Sequence, residues 1–233
     1  MARQPQNSSS QADDGGITRV ALVLDRSSSM RSIREGARSA FNECIDRVAE
    51  EAARGAGATL TLVTFNQEVK VHLENVPASK ARKLEPEDYI PAGSTALFDA
   101  VAQAIVTLQE AGPLGPADAA LVLVVTDGEE NSSREITQKH LARSMNKLEK
   151  TGAWTFSFLC ANVDIRDLSN RLGLDRSAMM SWNASESGVR HMGQDMLGGV
   201  DNYLSARRVG RRSIGSLWKD ITKREKQKTE QAD

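Results

Sequence analysis

Histidine, cysteine and aromatic residues are scarce in this chain of 233 residues, and each scarcity removes a class of function. Only three histidines occur, His72, His140 and His191. They are scattered outside every motif described below, so they read as structural or surface residues rather than as a zinc or copper site. The two cysteines, Cys44 and Cys160, fall on apolar stretches of a predicted helix and a predicted strand. They read as buried free thiols, which fits a reducing compartment. No apolar run approaches the ~18 residues that a membrane span needs. The formal charge of −1 points to neither a nucleic-acid nor a membrane surface. A G-x-x-x-x-G-K-[ST] phosphate loop, a G-x-S-x-G nucleophile elbow and internal repeats are all missing. The opening stretch MARQPQNSSSQADDGG (1–16) has almost nothing to bury and no apolar core of the secretory kind. It is expected to be a disordered lead to a cytoplasmic protein.

What is present is an alternation of buried strands and amphipathic helices. ITRVALVLD (17–25), AALVLVVTD (119–127) and AWTFSFLCA (153–161) are nearly continuous apolar runs, the pattern of strands covered on both faces. ATLTLVTF (58–65) and EVKVHLENV (68–76), joined by Asn66-Gln67, read as an antiparallel hairpin with an edge strand. A weaker strand is predicted at 178–183. Between them, apolar residues at three- and four-residue steps mark helices: Ile33 to Ala52, Leu97 to Leu108, Ile136 to Leu148, a short one at 165–172, and a last one at 186–207. Strand–helix alternation predicts an α/β fold with a mainly parallel sheet, and right-handed crossovers narrow it to a doubly wound sheet with helices on both faces. The expected domain covers 17–206, followed by a basic and polar tail at 207–233. In that tail Ile214, Leu217, Trp218 and Ile221 lie at one-face helical spacing.

In such sheets ligands bind beyond the C-terminal ends of the strands. The first strand ends in D-R-S-S-S, with Asp25, Ser27 and Ser29. The strand at 119–127 ends in T-D-G, with Thr126, Asp127 and Gly128. The loop before the second long helix carries G-S-T, ending at Thr95. If the first and the T-D-G strands are neighbours, carboxylates and hydroxyls meet at one spot. All are hard oxygen donors, a set that suits Mg²⁺, with Mn²⁺ or Ca²⁺ as alternatives. Neutral hydroxyls leave the cation enough charge to attract an incoming carboxylate. The competing reading of Asp25, Ser27 and Ser29 is a helix N-cap cluster.

These three motifs, in this order and at strand ends, resemble the metal-ion-dependent adhesion site of von Willebrand factor A domains. VLDRSSSM, TALFDA, TDGEENSS and WTFSFLCANVD are similar to stand-alone bacterial and phage members of that family. The resemblance implies strand order 3-2-1-4-5-6, a Rossmann-like sheet with the hairpin strand antiparallel. It implies that Asp25, Ser27, Ser29 and Thr95 contact the metal, with Asp127 close by or bridged through water. Related members often carry Gly where this chain has Ser28, a position that is not a ligand. The resemblance also implies assembly beside an AAA+ ATPase, or with kinases and phosphatases.

Around this core stand residues with two readings. Asp99 either orients a ligand hydroxyl or water from behind the metal ligands or is a first-turn acid of its helix. Glu129 and Glu130 either form the rim that selects a partner or are a solvated helix entry. Asn162 and Asp164 end the next strand near the rim. The stripe Ile214, Leu217, Trp218 and Ile221 either packs back on the domain or docks on a partner. The expected function is a non-enzymatic, cation-dependent protein-binding adaptor. The alternatives are a metal-dependent phosphohydrolase and a nucleic-acid-associated protein acting through the basic C-terminal tail at 207–233, whose Arg207–Arg212 cluster could meet phosphate.

Overall fold

β1 (Thr18–Asp25) is buried along its whole length, as its unbroken apolar run requires. In the computed structural model, which describes residues 16–55 and 57–218, this strand lies at the centre of a six-stranded sheet. β2 (Ala58–Phe65) and β4 (Ala119–Thr126) flank it, both parallel. β5 (Trp154–Cys160) and the short β6 (Met179–Ser181) continue the parallel side. β3 (Val69–Pro77) closes the other edge as the single antiparallel strand, giving the order β3-β2-β1-β4-β5-β6. The strand order implied by the resemblance is the order found.

Side chains alternate across this sheet, so one strand feeds two cores. Val20, Leu22 and Leu24 face α1 (Arg34–Ala52) and α5 (Glu186–Arg208). Ala21 and Val23 face α2 (Leu97–Glu110), α3 (Gln138–Glu149) and α4 (Ile165–Leu172). Cys44 belongs to the first core and Cys160 to the second, so the sheet separates two buried free thiols. Burial pushes each thiol up to about 12. The α1–α5 pair is close-packed through small residues. A Cβ on Gly193 would stand 2.9 Å from that of Ala40, and one on Gly36 would stand 2.6 Å from a Val189 methyl. Among the described residues no helix is long and apolar enough to cross a membrane.

The edge strand carries one buried polar group of its own. His72 Nε2 lies 2.8 Å from the Thr64 hydroxyl, and Nδ1 lies 3.4 Å from Asp88 Oδ1. Burial, with Lys70 next in weight, holds its imidazole down at about 4, so it is neutral at neutral pH.

The expected tail departs from the sequence reading. The domain does not stop at 206: α5 runs to Arg208, and residues 209–218 turn back along it without forming a helix. Leu217 and Trp218 are 1% and 2% exposed. Trp218 packs where a Cβ on Gly199 would stand 2.4 Å from its ring, and its indole N–H donates to the Ala178 carbonyl. Ile214 packs against the same core. Leu217 and Trp218 are therefore interior residues and Ile214 is half-buried beside them; burying the indole against α5 outweighs leaving it in water. Ile221 lies outside the described residues, as do 1–15 of the expected disordered lead.

The basic run at 207–212 is likewise used internally. Arg207, 6% exposed, donates to Thr18 Oγ1 at 2.9 Å and to the carbonyls of Ala117, Arg211 and Gly16. Arg212 donates to the Asp118 and Gly115 carbonyls. Arg208 pairs with Glu51. At the same end of the sheet Arg19 donates to the carbonyls of Leu108 and Gly112, where α2 leaves its last oxygens unpaired.

Candidate metal centre

Parallel neighbours β1 and β4 end side by side, which brings Asp25 next to the Thr126-Asp127-Gly128 turn. Asp25 is fully buried. Its Oδ1 accepts from the Ser27 amide at 2.6 Å, its Oδ2 from the Thr126 hydroxyl at 2.6 Å, and its carbonyl from the Tyr89 hydroxyl at 2.7 Å. The hydroxyls of Ser27 and Ser29 are 3.0 Å apart, and Ser29 donates to Asp127 Oδ1 at 2.6 Å. Either hydroxyl can donate across the Ser27–Ser29 contact, and the Ser27 hydroxyl also bonds the Asp25 carboxylate. Ser27 lies before the 3₁₀ turn Ser28–Ile33 but makes no side-chain capping bond. The N-cap alternative therefore does not describe these hydroxyls, which face one another and Asp127.

Thr95 joins from the third stretch. A Cβ built on Gly128 would lie 3.2 Å from Thr95 Oγ1 and 3.9 Å from Ser29 Oγ. Both hydroxyls thus border one small space that only a glycine at 128 leaves open. Gly93, in the same G-S-T loop, has φ +75°, and a side chain there would overlap Gln67. Its carbonyl accepts from the Ser28 amide at 3.0 Å, tying that loop to the first motif. Asp25, Ser27, Thr95 and Asp127 are all buried, whereas Ser28 and Ser29 are exposed, so the cluster opens to solvent on the serine side.

The electrostatics of this cluster are incomplete. Burial raises the Asp25 carboxyl to about 6, against its hydrogen bonds from Thr126 and Ser27; the charge of Asp127 adds to the rise. Burial also raises Asp127, against its bond from Ser29. Among the described residues no Lys, Arg or His forms an ion pair with either acid. Two adjacent buried carboxylates without a basic partner need a proton or a cation. Every donor present is oxygen, so the set fits a hard divalent ion such as Mg²⁺. The same residues contain no group of three or more His, Cys, Asp or Glu side chains placed to hold a metal, and in this cluster hydroxyls make up the donor count.

Asp99 and Glu130 perform a task that the sequence reading missed. The Asp99 carboxylate accepts from the amides of Arg134, Glu135 and Ile136, not from a ligand hydroxyl. Glu130 turns inward rather than standing free on the rim: its oxygens accept from the Ser132 and Ser133 amides, the Ser133 hydroxyl and the Phe98 amide. Asn131 adds a bond from the Thr95 amide at 2.9 Å and donates its own amide to the Thr95 carbonyl. The loop after T-D-G and the start of α2 are thereby clasped reciprocally, which sets Thr95 beside Gly128. Glu129, directly after T-D-G, is exposed, and its carboxylate makes no bond among the described residues. Asn162, at φ 54°, donates to the Asp127 carbonyl, and Trp182 donates its indole N–H to the Thr126 carbonyl. Asp164 caps α4 instead of reaching the rim.

Comparison of the sequence with protein-family models and with curated proteins finds no match. Solved structures do match in fold. The PilB minor pilin from Streptococcus sanguinis superposes with a TM-score of 0.58 at 13% identity, over 79% of this chain and 61% of its own. Proximal thread matrix protein 1 from the mussel byssus, with a zinc-occupied MIDAS motif, gives 0.54 at 17% identity over 78% and 47%. A von Willebrand factor type A protein from Catenulispora acidiphila gives 0.50 at 16% identity over 78% and 43%. At these identities the likeness is one of fold: a von Willebrand factor A or Rossmann-like α/β domain. The chain spans between 43% and 61% of these neighbours' own lengths.

Proposed function

We propose that this domain is a cation-dependent protein-binding module that holds Mg²⁺, or alternatively Mn²⁺ or Ca²⁺, and captures an acidic residue of a partner protein. The observation that carries it is the pair of buried carboxylates, Asp25 and Asp127, set among hydroxyls and without a basic partner among the described residues. Asp25, Ser27, Ser29 and Thr95 would supply ligand oxygens, with Asp127 direct or through water. The bound cation would supply a positive charge to pair with a carboxylate from outside. Two carboxylates match the two charges of the cation and the three hydroxyls add none, so the cluster is not over-neutralised, least of all with Asp127 bridged through water, and the exposed Ser29 side is the open approach. The zinc-occupied motif of the mussel protein supports the reading that this fold can hold a metal; the absence of nitrogen and sulfur here favours a harder ion.

We read the site as non-catalytic. Its hydroxyls are hydrogen-bonded to one another and to carboxylates, and neither His nor Lys stands beside them as a base. Three arginines of the tail that the nucleic-acid alternative relies on, Arg207, Arg208 and Arg212, are engaged within the domain, and residues 219–233 of that tail lie outside the described residues. A cytoplasmic assembly with an AAA+ ATPase or a kinase–phosphatase pair remains the partner class proposed. Two measurements test the reading. Titration calorimetry should show one Mg²⁺ site in the wild type and none in Asp25→Asn or Thr95→Ala. Pull-downs from the native host should yield partners with Mg²⁺ that vanish in EDTA; partners retained equally by EDTA and by Asp25→Asn would sink it.

A further inference from the structure

Helix α3 carries Lys139, Arg143 and Lys147 at successive four-residue steps, with Lys150 just beyond its end. All four are exposed, and among the described residues none makes an ion pair or a side-chain hydrogen bond. They line a groove of about 690 Å³ whose far wall is the end of α4 at Arg171 and Gly173. Arg171 is fixed there: its Nε donates to Gln138 Oε1, its carbonyl accepts from the Gln138 amide group, and its guanidinium lies 5.5 Å from the Phe98 ring centroid. Asp167 stands 3.6 Å from Arg171 and offsets part of that one charge. Among the described residues no acidic side chain lines the groove itself.

Like charges four residues apart on a helix destabilise it. Here two such steps run in series, Lys139 to Arg143 and Arg143 to Lys147, and no acid on α3 stands a turn away from either pair. A surface that retains this repulsion is complementary to an anion. From this geometry we infer that the α3–α4 groove is a docking surface for a short acidic segment of a protein partner. The surface shares no residue with the oxygen cluster and requires no cation, so the inference goes beyond the preceding reading and stands without it.

A protein segment fits better than a nucleic acid for three reasons. No aromatic side chain lines the groove, so bases would find nothing to stack on. From Lys139 to Lys150 the helix advances ~16 Å, enough for a few acidic side chains and little more. The chain as a whole carries −1, so a long polyanion leaving the groove would meet no general attraction.

The test uses the full chain in EDTA, which silences any metal site, and a labelled oligoglutamate of about a dozen residues. Fluorescence anisotropy should report binding that weakens with added salt. The triple variant Lys139→Glu, Arg143→Glu, Lys147→Glu should lose about tenfold or more in affinity. Its helix content by circular dichroism should be unchanged, since all three side chains are exposed. A control reversing Lys70, Lys80 and Arg190, equal in net charge, should bind as the wild type does. Asp25→Asn should also bind normally. Equal loss in the control, or no loss in the groove variant, overturns the inference. So does tighter binding of a charge-matched oligothymidylate abolished by the same groove variant, which would make the surface a nucleic-acid site.

Discussion

The two ends of the sheet treat buried charge in opposite ways. At the end where β1 and β4 start, Arg19, Arg207 and Arg212 spend their guanidinium protons on carbonyl oxygens of surrounding loops and of the α2 terminus. Each of these three guanidinium groups has carbonyl acceptors. At the opposite end Asp25 and Asp127 are buried with hydroxyls around them and no opposite charge. Folding energy is concentrated where polar groups are matched, and a ligand is called for where they are not.

The sharpest way to break this comparison is Arg207→Ala. It leaves several carbonyls without donors and should lower unfolding stability by about 3 kcal/mol in chemical denaturation. Mg²⁺ binding by the remaining folded protein should be unchanged; a simultaneous loss of cation affinity would show that the two ends are not separate. At the other end the sign reverses: stability should be gained from solution. Mg²⁺ at a hundredfold excess over its Kd should stabilise the wild type by about 2.7 kcal/mol. Thermal unfolding with and without EDTA should show no such shift for Asp25→Asn.

The edge strand provides an intermediate case, a buried polar group that is neutral. His72 has its folded value depressed to about 4 from about 6.5, so the unfolded state binds the extra proton first. Its contribution is present above about pH 6.5 and is lost as pH falls toward 4. Between pH 7 and 5 the wild type should lose about 2 kcal/mol more than His72→Gln does, measured by denaturant titration at each pH. Parallel pH profiles would remove His72 from the account. The smallest effect expected is that of Glu130→Gln. It replaces an acceptor of four donors with a group that is half donor, and should cost about 1 kcal/mol in stability. Mg²⁺ affinity should weaken several-fold, because the clasp positions Thr95. Unchanged affinity would show that Thr95 is held without it.

Strand positions were readable because burial on both faces demands unbroken apolar runs, and 17–25, 119–127 and 153–161 show them plainly. The meeting of Asp25 and Ser29 with Asp127 follows from strand-end placement once the first and T-D-G strands are neighbours, an order that the resemblance to von Willebrand factor A domains implied, as it did the place of Thr95. What escaped depends on bonds to backbone. Nothing in the spelling of Glu130 or Asp99 shows that their carboxylates cap amides thirty residues away in sequence. Arg207 and Arg212 look like a solvated charge run because carbonyl acceptors carry no sequence signature. The Trp218 stripe had a faint signal: Gly199, in the middle of a long helix where glycine is costly, marks the place where the ring lies.

The mutual clasp of Asp99 and Glu130 has a consequence for anyone who would rebuild this surface. The G-S-T loop and the segment after T-D-G are a single mechanical part written in two places. Grafting either one into another domain without its counterpart would transplant the letters of the motif while leaving behind the bonds that aim them.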